Sequence, residues 1–218
     1  MADAQIARAT ISGIEFTLYY DYDELRDRKL SRLPDADKIE WFQRRMQYVF
    51  LEPLTRLYGG KTPGFRALNS LKAHEQPPSS FVIPAFSVLL NGLEALGSFL
   101  IESNQNRSRF YAFIETYMKS WNKSVANSPY PTRDLKEILW KYFRNGIAHG
   151  FRIEGGGIDN EADRDSRGWH VVEGRLLVGP YSFFNDFRKG VDAFFEDAKT
   201  VRKAIFLRRF AKLYPPAP

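Results

Sequence analysis

The apolar residues of this chain recur mainly at helical spacing, and the first such stretch follows a mixed N-terminal segment. We expect a helix that begins near Asp35 or Asp37, either of which can act as its N-cap. Pro53 should kink this helix, and Gly59-Gly60 should end it. Before it, "ISGIEFTLYY" is compatible with a strand or a short helix. The apolar positions of the predicted helix are Ile39, Phe42, Met46, Val49 and Phe50.

The most apolar stretch is "FVIPAFSVLLNGLEALGSFLI", from Phe81 to Ile101. It is about long enough to cross a bilayer, which takes roughly 20 residues. Asn91 and Glu94 lie near its middle, and polar or ionisable groups there are costly in lipid. We therefore predict a helix buried in the centre of a bundle. Ser80 can cap this helix, and Pro84 is tolerated in its first turn.

Three further helices are predicted downstream. One begins at about residue 106 and carries an apolar stripe that reaches Trp121, and "NSPYPT" breaks it. The next begins after Thr132 and ends at Gly150, where we expect a left-handed terminating residue. The last begins at about Tyr181 and continues through the basic segment "RKAIFLRRFAK".

Between the last two predicted helices, the pattern changes to that of strands. "FRIE" and "WHVVEGRLLV" predict strands, the second pair joined tightly at Glu173-Gly174. The segment between them, "GGGIDNEADRDSR", is predicted to be a flexible charged connection. The expected fold class is all-α: an up-down helical bundle with a small β-hairpin inserted before its last helix. We expect one domain over residues 1–218, with 1–34 as an N-terminal extension and 151–180 as the hairpin insertion.

Composition narrows the classes of function. Apolar residues make up 44% of the chain, which is enough to build a core. A net charge of +6 and a pI near 9.4 fit contact with RNA or DNA. The chain has no cysteine, which excludes disulfides, thiolate metal sites and cysteine nucleophiles. Three scattered histidines, without H-E-x-x-H spacing, do not favour a metal site. The N-terminus lacks the apolar region of a secretory signal, so we expect a cytoplasmic protein.

Candidate chemistry is concentrated in "KYFRNGIAHGF", residues 141–151. Arg144 presents a permanently charged donor fork that suits phosphate oxygens. His149 can exchange protons near neutral pH. Together they suit phosphodiester chemistry, in which one group moves protons and the other stabilises charge on phosphorus. Five positions separate them by about 140° on an ideal helix, so they meet only if the last turn loosens, which Gly146 and Gly150 would permit.

An arginine followed by a histidine at this spacing is a weak motif by itself. Arg164 and His170 also satisfy it, but they lie in the charged connection and a strand. The stretch "ILWKYFRNGIAHG" has an amphipathic helix before it, Asn145 after the arginine and Ala-His-Gly at its close. In these features it resembles the HEPN superfamily (higher eukaryotes and prokaryotes nucleotide-binding domains), all-α bundles with an R-x4–6-H motif. The resemblance extends more loosely to the order of helices over about residues 35–213.

The resemblance implies a metal-independent endoribonuclease that uses the ribose 2′-hydroxyl as nucleophile and needs no cofactor. By matching positions, Arg144 and His149 would be catalytic, and Asn145 would orient or bind the substrate. It also implies a homodimer whose two motifs face one cleft. Toxin–antitoxin or anti-phage defence would be the biological setting, with an antitoxin or a nucleotidyltransferase as a possible partner. Only one well-placed histidine per chain also favours a dimer, because the reaction needs both a proton acceptor and a proton donor.

Other interpretations stay open. The chain could keep a HEPN-like fold and bind RNA, a nucleotide or a protein without cleavage, or "RNGIAHG" could only terminate a helix. His149 and Asn145 could be local capping residues. For Glu94 and Asn91 we favour a structural role over one in the site. The basic C-terminal segment could follow an RNA backbone or be a solvated helix face.

Overall fold

A computed structural model describes residues 8–11, 14–17, 29–58, 82–150 and 152–215 of the chain. These residues are mostly helical, with small β-sheets, which confirms the predicted helical class. The chain forms two compact units, one of residues Met1–Leu54 with Phe194–Pro218 and the other of Thr55–Ala193. One domain over residues 1–218, with its extension and insertion, stays a prediction.

The first unit begins with an antiparallel pair of strands, β1 (Arg8–Ile11) and β2 (Ile14–Thr17), in which Ile11 lies opposite Ile14. The strand alternative for "ISGIEFTLYY" is therefore the right one where the structure describes it. The helical elements that follow are α1 (Lys29–Arg32), α2 (Asp35–Arg45), a π-helical turn (Met46–Leu51) and α3 (Glu52–Leu57). The boundary between the two units falls within α3, so that only its residues Glu52–Leu54 belong to the first unit.

Aromatic side chains build the core of this unit. Trp41 and Phe42 on α2 contact residues of α9 (Lys203–Leu213). The ring of Phe210 lies edge-on to Trp41 at 5.9 Å, and Phe206 lies 5.8 Å from Phe42. Each of these four side chains is at least nine-tenths buried. Because such rings bury large apolar areas, this cluster holds α2 and α9 together.

The start of the first long helix differs from the prediction, and the kink at Pro53 stays a prediction. Pro34 occupies the N-cap position, and Asp35 and Asp37 lie in the first turn, where negative charge suits the helix dipole. Pro53 lies inside α3, and the wide π turn directly precedes it. Since proline has no N–H to donate to the carbonyl four residues earlier, the wider turn lets the helical path continue. Gly59-Gly60 and Ser80 lie outside the described residues.

The second unit is built around α4 (Val82–Gly97), which is the predicted buried helix and carries Pro84 in its first turn. It packs on α5 (Asn106–Tyr117). A Cβ at Gly97 would lie 1.9 Å from the carbonyl oxygen of Arg109, so glycine is needed for this close approach. The next helical run comprises α6 (Leu135–Ile138), a second π turn (Leu139–Arg144) and α7 (Asn145–Gly150). In the part of the chain that the structure describes, no helix combines the length and apolarity needed to span a membrane.

A three-stranded sheet follows, in the order β3 (Gly156–Ile158), β5 (Arg175–Val178), β4 (Trp169–Val172). The tight turn at Glu173-Gly174 is confirmed: both residues have positive φ, 48° and 69°, as a two-residue hairpin turn requires. The prediction of a strand at "FRIE" was wrong for residues 152–154, which are not in a strand, and Phe151 lies outside the described residues. The strand begins instead at Gly156, within the segment predicted to be flexible, because this backbone pairs in parallel with β5. A 3₁₀ helix, Asn160–Arg164, occupies more of that segment.

Two helices follow the sheet, so the hairpin does not directly precede the last one. They are α8 (Pro180–Lys199) and α9. The expected single helix ends at Lys199 because the N–H groups of Thr200 and Arg202 both donate to the carbonyl of Asp197, at 3.1 and 2.8 Å. The Thr200 hydroxyl also donates to the Glu196 carbonyl at 2.7 Å. These bonds replace the regular helical pattern with a turn.

The N-terminus of α8 is capped from a distant segment. The carboxylate of Asp163, in the 3₁₀ helix, accepts from the backbone N–H of Ser182 at 2.7 Å and of Tyr181 at 3.4 Å. A Cβ at Gly179 would lie 2.2 Å from Asp163 Oδ1, so glycine makes room for the cap. Burial raises the pKa of the Asp163 carboxyl, and the donated hydrogen bonds oppose that rise.

We expect the substitution Asp163→Ala to lower the free energy of unfolding by about 1 kcal/mol, because the first turn of α8 loses its acceptor. Urea denaturation followed by circular dichroism measures the change. The matched control is Glu161→Ala on the same 3₁₀ helix, which removes only an exposed ion pair to Arg164 and should change stability by less than about 0.5 kcal/mol. Equal effects of the two substitutions would contradict the capping role.

Candidate functional site

The helical run from α6 to α7 carries the candidate residues. Its first turn is fixed by Asp134, whose side chain accepts from the N–H of Lys136 at 3.1 Å. The run then widens into the π turn that ends at Arg144. Such wide turns occur frequently at functional sites. The widening shifts the side chains that follow relative to those of a regular helix, so it helps to set the direction of Arg144.

Arg144 is held by an ion pair with Glu94 on α4. Its Nε lies 2.6 Å from Glu94 Oε1 and its Nη2 lies 3.3 Å from Oε2, a two-pronged geometry. Its Nη1 donates to Asn145 Oδ1 at 3.2 Å. The side chains of Glu94 and Arg144 are 11% and 19% exposed, so the charges are mostly withdrawn from water. Since a guanidinium has about five N–H donors, these contacts leave donors for a ligand.

An indole forms one wall beside this ion pair. The guanidinium carbon of Arg144 lies 4.9 Å from the ring centre of Trp140, within the range of a cation–π contact. Buried Phe110 on α5 approaches the same indole edge-on at 5.4 Å. Arg144 is thus fixed by a carboxylate, an amide oxygen and an aromatic ring.

His149 is exposed, and its ring makes no hydrogen bond or ion pair with the described residues. The capping alternative for His149 is therefore not seen in this part of the chain. The segment Asn145–Gly150 is a regular α-helix, so the expected loosening after Arg144 is absent and the wide turn precedes it. At about 140° apart on such a helix, Arg144 and His149 leave in different directions. Gly150 is the last helical residue rather than a left-handed residue beyond the helix.

Gly146 allows the chain to fold back against the helix. The N–H of Arg152 donates to the Gly146 carbonyl at 3.2 Å. A Cβ at Gly146 would lie 2.2 Å from the carbonyl oxygen of Arg152. The glycine in the motif therefore serves a close backbone approach immediately beside Arg144 and Asn145.

The sequence analysis named Arg144 and Asn145 as candidates and favoured a structural role for Glu94. Glu94 is 9% exposed and pairs with the candidate arginine, so it belongs to the site. The signal for this was present, since an ionisable residue within an apolar helix needs a charged partner. Asn91 is exposed on the same helix. Arg164 and His170 stay outside the site: Arg164 pairs with Glu161, and His170 lies in β4.

No protein-family model, no curated protein and no solved structure matches the chain. Within the described residues, no three His, Asp or Glu side chains are grouped so that they could hold a metal ion. The geometry itself therefore defines the site: a mostly buried arginine–glutamate pair with an amide and an indole, and an exposed histidine on the same helix.

We expect Glu94 and Arg144 to be energetically coupled. Glu94→Gln should lower the free energy of unfolding by about 2 kcal/mol, since it leaves a mostly buried cation without its counter-charge. In a double-mutant cycle with Arg144→Met, the interaction energy should be at least about 1 kcal/mol. Urea denaturation of the four proteins gives this value.

The exposed pair of Glu161 and Arg164 is the matched control for this cycle, with side chains 59% and 72% exposed. Its coupling should stay below about 0.5 kcal/mol. A Glu94–Arg144 coupling as small as that of the control would show that the pair does not hold the site.

We further expect Gly146→Ala to destabilise the protein by at least about 1 kcal/mol, because overpacking against the Arg152 carbonyl exceeds the gain in helix propensity. Thermal and urea unfolding measure the effect. Gly157→Ala is the control, since its Cβ would meet only the flexible Leu177 side chain, at 3.3 Å. A neutral or stabilising Gly146→Ala would contradict the close approach.

Proposed function

We propose that this protein is a HEPN-type, metal-independent endoribonuclease that cleaves RNA through the ribose 2′-hydroxyl. One observation carries the proposal: Arg144, the arginine of the HEPN-like motif, is partly exposed and is held by Glu94, Asn145 and Trp140, with N–H donors left for a ligand. A guanidinium fixed in this way is prepared to bind a phosphate without reorganising. The HEPN fold is part of the same proposal.

The reaction needs a base, an acid and a stabiliser of negative charge. In the proposed mechanism His149 from one subunit takes the proton of the 2′-hydroxyl, and the oxygen attacks the adjacent phosphorus. The bond from phosphorus to the 5′-oxygen breaks, and His149 of the second copy gives that oxygen a proton. Arg144 donates hydrogen bonds to the phosphate oxygens as their charge increases.

The proposed mechanism requires a homodimer, because the base and the acid are His149 side chains of two different copies. Arg144 and His149 leave the same helix in different directions, so one copy alone does not direct both at one phosphate. A two-fold axis near α7 would bring Arg144 of one copy towards His149 of the other. The cytoplasmic setting, the role in toxin–antitoxin or anti-phage defence, and an antitoxin or nucleotidyltransferase partner rest on the resemblance to HEPN proteins.

A second candidate function is RNA, nucleotide or protein binding without cleavage. The observation that favours it is the full engagement of one edge of Arg144 by Glu94, which leaves this ion pair without net charge. A neutral pair stabilises the extra negative charge of a cleavage transition state less than a free arginine would. Binding that survives long incubation, with no cut product, would select this function.

We expect purified protein to cut mixed-sequence RNA in the presence of EDTA. His149→Ala and Arg144→Ala should each lower the cleavage rate by about 100-fold or more, as expected for loss of a general acid–base group or of transition-state hydrogen bonds. Gel analysis of end-labelled RNA measures the rates. His170→Ala and Arg164→Ala are the controls, because they remove the second Arg–His pair of the sequence and should leave the rate unchanged.

Equal cleavage by all these variants would reject Arg144 and His149 as catalysts and point to a contaminating nuclease. Light scattering at the assay concentration adds an independent check. A monomer that cleaves RNA at full rate would overturn the shared cleft.

A further inference from the structure

We propose that Trp140 is a stacking site for an unpaired base of the RNA, adjacent to the phosphate that Arg144 binds. This inference rests on the proposed function and names its substrate class: single-stranded RNA. Of the four tryptophans in the chain, three are buried, with Trp41, Trp121 and Trp169 no more than 4% exposed. Trp140 alone among them is only partly buried.

The indole is held in place from two sides. Phe110 approaches it edge-on at 5.4 Å from α5, and the guanidinium of Arg144 lies 4.9 Å from its centre. Phe110 has no exposed surface, so the support is anchored in the core. A base that stacks on the exposed part of Trp140 therefore meets a surface that loses little conformational freedom on binding.

Because Trp140 lies beside Arg144, we expect the site to prefer a nucleotide to an aromatic ligand that has no phosphate. A base and its phosphate are joined through one ribose, so the groups that receive them must be neighbours. Trp140 and Arg144 meet this condition, since they contact each other. Stacking on a tryptophan accepts any base, because every base has a π face.

The same arrangement disfavours a duplex. In a double helix, each base is already stacked and is not free to reach a protein side chain. Two of the local cations are already paired, Arg144 with Glu94 and Lys136 with Glu115 and Asp134 at 3.3 and 2.8 Å, and exposed Lys141 follows Trp140. We therefore expect recognition at this site to depend more on stacking of the base than on attraction between unpaired cations and the RNA phosphates.

The test measures binding and not cleavage. In the full chain carrying His149→Ala, single-stranded RNA should quench tryptophan fluorescence, whereas inorganic polyphosphate, which has no bases, should not. Adding Trp140→Leu should weaken single-strand binding at least about fivefold. Adding Trp140→Phe should retain affinity within about twofold but remove the RNA-dependent quenching. Trp169→Phe, at a buried position, is the control and should leave both the quenching and the affinity unchanged.

The same RNA annealed to its complement should bind at least about fivefold more weakly than the single strand. Equal affinity for both forms, or unchanged affinity in Trp140→Leu, would overturn the stacking site. So would equal losses in Trp140→Phe and Trp140→Leu, since a purely structural role of the indole predicts that result. Circular dichroism melting of each variant identifies loss of folding.

The outcomes separate this inference from the proposed function. The wild-type chain could show no cleavage while RNA still quenches its fluorescence and Trp140→Leu still weakens binding. That result would overturn the proposed nuclease activity but support the stacking site. Full cleavage with normal affinity in Trp140→Leu would overturn only the stacking site. Absence of RNA binding in every form would overturn both.

Discussion

The arrangement of the candidate site depends on the ion pair between Glu94 and Arg144. Both side chains are mostly buried, and charges in such positions are tolerated only when they are paired and hydrogen-bonded. The pair joins α4, the most apolar helix of the chain, to the end of the second π turn. It therefore fixes where the guanidinium lies relative to the core. Trp140 and Asn145 then contact two further parts of the guanidinium.

Several features of the backbone serve this pairing. The π turn brings the helical run to Arg144 with a changed side-chain direction, and the glycine two residues later accepts the returning backbone of Arg152. Gly97 lets α5 approach α4, and α5 supplies Phe110 behind Trp140. The site is thus supported by close backbone contacts on both sides, which side chains larger than hydrogen would prevent.

Periodicity predicted the elements that form from local information. The buried helix α4, the start of α5 and the turn at Glu173-Gly174 follow from spacing and turn chemistry alone. What could not be predicted depends on partners distant in sequence. β3 is a strand because its backbone pairs with β5, although three glycines precede Ile158. Arg144 and Asn145 could be named from the motif, but their partner Glu94 lies 50 residues away from Arg144, and an apolar helix alone does not say which cation it meets.

The neutrality of the Glu94–Arg144 pair has a consequence for any phosphate ligand. The guanidinium of Arg144 already donates three hydrogen bonds. Because a guanidinium has roughly five N–H donors, about two remain for a ligand. A phosphate can therefore bind without displacing Glu94. Glu94 then keeps the donors aligned, but it also cancels the charge that would draw the phosphate in. The attraction must come from other groups close in the sequence, among them exposed Lys141, exposed His149 and an aromatic partner for the base. In the proposed dimer, a second copy of the chain would double these contributions.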